Sequence, residues 1–323
     1  MFHIAFGRSA VMTTLVLAAS GCLGPGVDDP GDRLAVVATT TQVGSVAAEI
    51  GADAIDLQVL LEPGVEAHDF ELSPEDAAAL ERADLVLVSG AGLEEWLDDA
   101  IETSGGADHV RDLSEGVALR TPGGGEPAHD DDEHAEDGLD DHDDEVDPHY
   151  WLDAQNAIVM VENARDALSA AAPEEADGFA QRADVLIGRL ESADAEITDL
   201  LDEIPAEQRH VVTDHDALGY FLEAYGLEFA GSVFPSLDVS SEPSAQEIEA
   251  LVDEIRGEGV TAIFTESSVN PRLAQAVADE TDARLIDEPI YTDSLGVEGS
   301  GAETLDGMLL HNARVIRDGL LGG

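Results

Sequence analysis

Lysine is absent from this chain: all 14 basic residues are Arg, against 71 Asp and Glu. A formal net charge of −57 repels itself at low ionic strength. It suits molar salt, where the screening length is about 3 Å, so the composition reads as that of a halophile's protein. Such a surface excludes charge-driven binding to DNA or to an anionic membrane. Cysteine occurs once, at Cys22, which rules out an internal disulfide. Aromatic residues make up 4% of the chain, too few to build stacking platforms for nucleic acid or sugar. Also missing are a G-x-x-x-x-G-K-[ST] phosphate loop, an H-E-x-x-H zinc helix and a G-x-S-x-G nucleophile elbow. Together these absences move the reading from enzyme toward binding protein.

What is present begins with a targeting segment. Arg8 precedes an apolar run at 10–19, the length of a signal-peptide core and too short to span a bilayer. His3 belongs to this segment. Ser20 and Gly21 lead into Cys22, and the placement resembles a lipobox. Residues 1–22 are therefore expected to be a lipoprotein signal with Cys22 as the lipidated residue. The alternative is ordinary secretion with Cys22 unmodified. Residues 23–33, "LGPGVDDPGDR", read as a flexible tether, which places the folded part outside the cytoplasm on the outer face of the membrane.

From Leu34 onward, short apolar runs alternate with amphipathic helices. Strands are expected at 34–39, 55–61, 84–89, 210–213, 227–234, 262–265 and 283–286. Helices are expected up to Gly51, after the Ser73–Pro74 cap, through Glu94, Trp96 and Ile101, at 153–171, through Tyr220, after the Ser244 cap and from Pro271. Pro173 opens a longer helix with Phe179, Ala183, Ile187, Leu190, Ala193, Ile197 and Leu201 on one face. At about 30 residues it should span roughly 45 Å. Such alternation defines an α/β protein with mainly parallel sheets. Two lobes are expected, at 34–171 and 206–323, each a sheet flanked by helices and joined by one long rigid helix at 172–205.

The histidines carry the chemistry. Four of the ten, His129, His134, His142 and His149, fall within 128–149. Residues 125–147 form an acidic, His-rich run with no apolar periodicity to fold on. Its His129, His134 and His142 are candidate accessory metal contacts, and a solvated salt-adapted loop is the alternative. Four other positions lie where a strand ends or a helix begins: His68, His149, His215 and Asp293. Ligands of open α/β sheets bind outside the carboxyl ends of the strands. Three imidazoles and one carboxylate suit Zn²⁺. Taken singly, each of these residues could equally be a cap or a surface side chain. Glu266 is open between orienting a ligand and a solvated strand end, and Asp153 and Asp216 are candidates to orient imidazoles. His311 reads as structural, and Trp96 and Trp151 as packing residues.

The segments "EPGVEAHDFELSP", "DPHYWLDAQNA", "TDHDALGYFLEAYGL" and "IYTDSLG", in that order, resemble the zinc- and manganese-specific solute-binding proteins of ABC transporters. The supporting text "GAGLEEWLDDAI", "SSEPSAQEIEALVDEIR" and "IFTESSVNPRLAQAVADETDARL" is similar too, so the resemblance covers the chain from Leu34 onward. It implies two α/β lobes joined by a long rigid helix, with metal in the cleft, and His68, His149, His215 and Asp293 as the ligands. Members of the manganese and iron type usually carry Glu where this chain has His215, and zinc members often insert a His- and acid-rich loop. The resemblance therefore implies Zn²⁺ as cargo, with Mn²⁺ as the alternative, in a monomeric protein anchored by lipid. Its partners would be a membrane permease and a separate ATPase. A secreted zinc hydrolase is the competing class, but no general-base motif accompanies the ligands.

Overall fold

The computed structural model describes residues 1, 33–68, 70–97, 107–121, 146–234 and 243–322. Cys22, His129, His134 and His142 lie outside the described residues. Residues 33–323 form one compact unit.

Its first sheet comprises β1 (Leu34–Ala38), β2 (Ile55–Val59), β3 (Leu85–Val88) and β4 (Val110–Asp112), in the order β2-β1-β3-β4 and all parallel. The second repeats that order with β5 (His210–Thr213), β6 (Glu228–Ser232), β7 (Ala262–Glu266) and β8 (Arg284–Ile290), as β6-β5-β7-β8. Central strands β3 and β7 are buried along their whole length, as parallel sheets covered on both faces require. That is why β3 reads as an unbroken apolar run and β7 opens on one, Ala262–Phe264, before Thr265 and Glu266. The edge strand β4 is three residues long and mostly exposed, and nothing in its sequence marks it as a strand.

The helices are α1 (Thr41–Gly51), α2 (Pro74–Arg82), α3 (Ala154–Ala171), α4 (Ala176–Leu201), α5 (Gly219–Tyr225), α6 (Ala245–Glu258), α7 (Arg272–Glu280) and α8 (Leu305–Leu321). Ser73 and Ser244 close capping boxes with Asp76 and Glu247, satisfying N-terminal amides that have no intrahelical partner. The segment expected as a helix through Glu94 and Trp96 begins as turns at 91–94 and is helical at 95–97; 98–106 lie outside the described residues. No helix among the described residues is long and apolar enough to cross a membrane.

Pro173–Glu175 make a single 3₁₀ turn before α4, so the long helix has 26 residues, fewer than the sequence pattern suggests. It buries Phe179, Ala183, Leu186, Leu190, Ala193, Ile197 and Leu201, with Leu186 inside where Ile187 was expected. This stripe packs against α1, α3 and α8. Arg189 adds ion pairs to Glu49 of α1 (2.7 Å) and Asp306 of α8 (3.1 Å). One apolar core consequently runs beneath both sheets, and a smaller one lies between β5–β7 and α6–α7. Leu190 is fully buried in that spine. Leu190→Ala is expected to cost about 2–5 kcal/mol, measured as a shifted denaturant midpoint at unchanged slope.

Candidate metal centre

The strand order of each sheet reverses between its first and third strands, which opens a crevice at their carboxyl ends. His215 lies just beyond β5 and Glu266 ends β7, so the second sheet's crevice holds both. Asp293 follows β8, and His68 lies in the loop after β2. His149 caps a 3₁₀ turn, Tyr150–Leu152, that leads into α3.

Two indoles fix these loops. Trp96 Nε1 donates to the carbonyl of Ala67, beside His68, at 2.9 Å. Trp151 Nε1 donates to the carbonyl of Thr292, beside Asp293, at 3.0 Å. Gln42 at the start of α1 donates to the same carbonyl (3.0 Å), and Leu295 N donates to Thr41 Oγ1 (2.8 Å). The loop carrying Asp293 is thereby bonded to α1 and to the segment carrying His149.

His68, His149, His215 and Asp293 each present one donor atom, and the four atoms lie within 4.8 Å of one another. The spacing is 3.0 Å from His149 Nε2 to Asp293 Oδ1, 3.4 Å from His68 Nε2 to His149 Nε2, and 3.6 Å from His215 Nε2 to Asp293 Oδ2. Ligands on a tetrahedral ion with bonds of about 2.0–2.1 Å stand about 3.3–3.4 Å apart. The observed separations bracket that edge. His149 and His215 are fully buried and Asp293 is 1% exposed, while His68 is half-buried. His68 therefore marks the side from which solvent reaches the cluster.

Carboxylates behind the rings set their orientation. Asp147 Oδ1 accepts from the His149 backbone N (3.0 Å) and lies 2.8 Å from His149 Nδ1, which leaves Nε2 for the cluster. Glu266 Oε2 lies 2.7 Å from His215 Nδ1, off the line of a hydrogen bond, while its Oε1 accepts from His215 N at 2.9 Å. Thr292 Oγ1 holds Glu266 Oε2 at 2.7 Å. Two expectations are corrected here. Asp153 does not orient an imidazole; it caps α3 by accepting from Gln155 N. Asp147 does not belong to a solvated loop, because it is fully buried. The expected loop 125–147 thus ends inside the site. Asp216 lines a surface cavity with Arg120, Glu223 and Phe229. Sequence reasoning left Glu266 open, and it is buried and bonded; His311 Nε2 lies 2.9 Å from the carbonyl of Pro289, a structural contact.

Charge follows from this packing. Burial disfavours the imidazolium of His149, but Asp147 and Asp293 outweigh it and bring the pKa up to about 9. His215 is likewise pulled against burial, by Glu266 and Asp293, to well above the usual histidine range. Asp293 stays well below the carboxylate range, since His215 and His149 overcome its desolvation. Burial and Asp293 push Glu66 up to about 7. One oxygen of Glu66 accepts from His68 N at 3.1 Å and the other is buried without a hydrogen-bond partner. Burial and Glu266 push Asp214 up to about 7 as well. Neither Glu66 nor Asp214 was distinguishable in a chain with 71 acidic residues.

Two parallel sheets with a buried three-histidine, one-carboxylate cluster at their crevice define a metal-binding solute-capture protein of the ABC-importer type. The chain belongs to the family described as "Zinc-uptake complex component A periplasmic" (ZnuA), whose model matches residues 36–319. That family comprises substrate-binding components, not enzymes. Among relatives, the chain is 30% identical to the manganese-binding lipoprotein MntA of Halalkalibacterium halodurans over 320 residues, 99% of each chain. It is 28% identical to the iron-binding protein YfeA of Yersinia pestis, covering 90% of this chain and 86% of that one. Among solved structures, the periplasmic zinc-binding protein TroA of Treponema pallidum superposes with a TM-score of 0.78 at 28% identity, covering 89% of this chain and 99% of that one.

Proposed function

We propose that the protein captures Zn²⁺ outside the cytoplasm on His68, His149, His215 and Asp293 and delivers it to the permease of an ABC importer driven by a separate ATPase. One observation carries the choice of metal: three imidazole nitrogens and a carboxylate converge within 4.8 Å, all but His68 buried. Nitrogen-rich sites favour a borderline ion, and replacing carboxylate by imidazole at position 215 moves the set away from the hard cations. Mn²⁺ is the second reading, favoured by relatives that are themselves manganese-binding lipoproteins. Cys22 as lipid anchor belongs to the same proposal and is supported by the lipoprotein character of those relatives. So do the monomeric state and the division into lobes at 34–171 and 206–323 linked by 172–205.

Affinity alone does not separate the two metals, because Zn²⁺ outcompetes Mn²⁺ at most nitrogen and oxygen sites. The test is the metal content of the full chain expressed in its own cells, replete in both ions, followed by Zn²⁺/Mn²⁺ competition at high salt. Zinc at about one ion per chain is expected. Manganese as the resident ion would overturn the zinc assignment while leaving the site intact.

A further inference from the structure

Among the described residues, the cation Arg120 stands behind the candidate site. Arg120 is 14% exposed at its side chain and pairs with the fully buried Asp147 at 3.2 Å, on the carboxylate oxygen that His149 does not use. In a chain with 71 acidic residues, charge attraction alone does not single out this one buried partner.

The backbone closes the arrangement. Asp147 N donates to the Arg120 carbonyl at 2.9 Å. Arg120 N donates to Tyr220 Oη at 3.0 Å, and Tyr220 Oη donates to the Asp147 carbonyl at 3.0 Å. The guanidinium also lies over the Tyr220 ring, 5.5 Å from its centre, a favourable cation–π placement. Tyr220 and Gly219 belong to α5, beside the second sheet. A Cβ at Gly219 would stand 1.1 Å from Arg120 Nη1 and 3.0 Å from Asp147 Oδ2. Any larger residue would make the guanidinium shift from the seat in which Arg120 reaches Asp147. The side chain that orients His149 is therefore clasped on its far side by α5.

We propose that Arg120, seated in the Gly219 notch, is a positioning residue for His149: by holding Asp147 it fixes the imidazole and slows the release of bound metal. This rests on the reading of His149 as a metal ligand. Loss of the group that touches a metal-bound histidine, here Asp147, typically costs about 10–100-fold in affinity; Arg120 acts one contact further out, so about 10-fold, the lower end of that range, is the factor expected here. Arg120→Met and Gly219→Ala are each expected to raise the Zn²⁺ release rate by about that factor in the full chain, read by stopped-flow transfer to a chelator. Arg120→Lys, which keeps the charge but not the planar fork, should recover part of the loss. With Co²⁺ as probe, the visible ligand-field spectrum should shift in Arg120→Met and Gly219→Ala. Arg189→Met serves as the control, since it breaks the ion pairs to Glu49 and Asp306 away from the site. It should lower the melting temperature and leave release and spectrum unchanged.

Wild-type release rates in Arg120→Met and Gly219→Ala, in a protein whose His149→Ala variant no longer binds, would overturn the proposal. So would acceleration of the same size in Arg189→Met. Retained tight binding in His149→Ala would instead refute the reading of the site. If Arg120→Met does not fold, Gly219→Ala and Arg120→Lys decide the matter.

Discussion

His149→Ala is expected to weaken Zn²⁺ binding by at least about 10³-fold, beyond the roughly 10–100-fold that loss of an outer partner costs. The reason lies in what surrounds the ring. His149 is fully buried, 3.0 Å from Asp293, 3.4 Å from His68 and 2.8 Å from Asp147. Truncation removes a donor and leaves two buried carboxylates without the imidazole between them. Removing one partner of a buried ion pair costs about 3–5 kcal/mol, so the metal-free variant should also melt earlier. Ligand-linked stabilisation gives the second readout. Free metal at 1,000 times the dissociation constant should add about 4.1 kcal/mol to the wild-type fold, seen as an upward shift in melting temperature. The variant, weakened at least about 10³-fold, should gain no more than about 0.4 kcal/mol at the same metal concentration. His215→Ala should behave alike, since that ring is equally buried. Wild-type titration curves and melting shifts in both variants would remove these residues from the site.

Much of the fold is legible in the sequence because burial on both faces leaves a plain signal. β3 announces itself as an unbroken apolar run and β7 by its apolar start at Ala262–Phe264, and Ser73 and Ser244 announce their helices through capping boxes. β4 is illegible because an exposed three-residue edge strand has no apolar pattern to show. Within the site the imidazoles stand out, being scarce and placed at strand ends, whereas the carboxylates behind them do not. With about one residue in five acidic, nothing local distinguishes the buried Glu66 or Asp214 from the solvated majority. Asp147 had one usable mark: it opens "DPH", two residues before His149. Its neighbours in the acidic run hid that mark. Arg120 and Gly219 illustrate the general limit, because their pairing depends on a notch between segments 99 residues apart, which no local pattern encodes.

The second large effect is on pH. His149 is brought up to about 9 and His215 well above its usual range, so at neutral pH these two rings are expected to carry protons in the metal-free cluster. A metal ligand must be a neutral imidazole, so one Zn²⁺ displaces two protons and the exchange conserves charge inside the site. Apparent affinity should then rise about 100-fold per pH unit through neutrality and up to about pH 9, where the slope halves. Isolated histidines with a pKa of about 6.5 would give a curve already flat above about pH 7.5. Glu66, pushed up to about 7, adds to proton release below that pH; Asp293, held well below its usual range, adds none. The metal-free fold should respond in the opposite sense. A histidine raised on folding contributes stability that is complete below its unfolded pKa of about 6.5 and is lost as pH rises through its folded value. Asp293, depressed on folding, contributes above about 3.8 and loses that contribution only as pH falls through its folded value. Metal-free melting temperature should therefore fall between about pH 7 and 9, while metal affinity climbs. Calorimetric titration at pH 7.5 in buffers of different ionisation enthalpy should count about two protons released per Zn²⁺. A count near zero, with affinity level between pH 7 and 8.5, would show that the imidazoles are already neutral and that the carboxylates behind them do not hold protons in the metal's place.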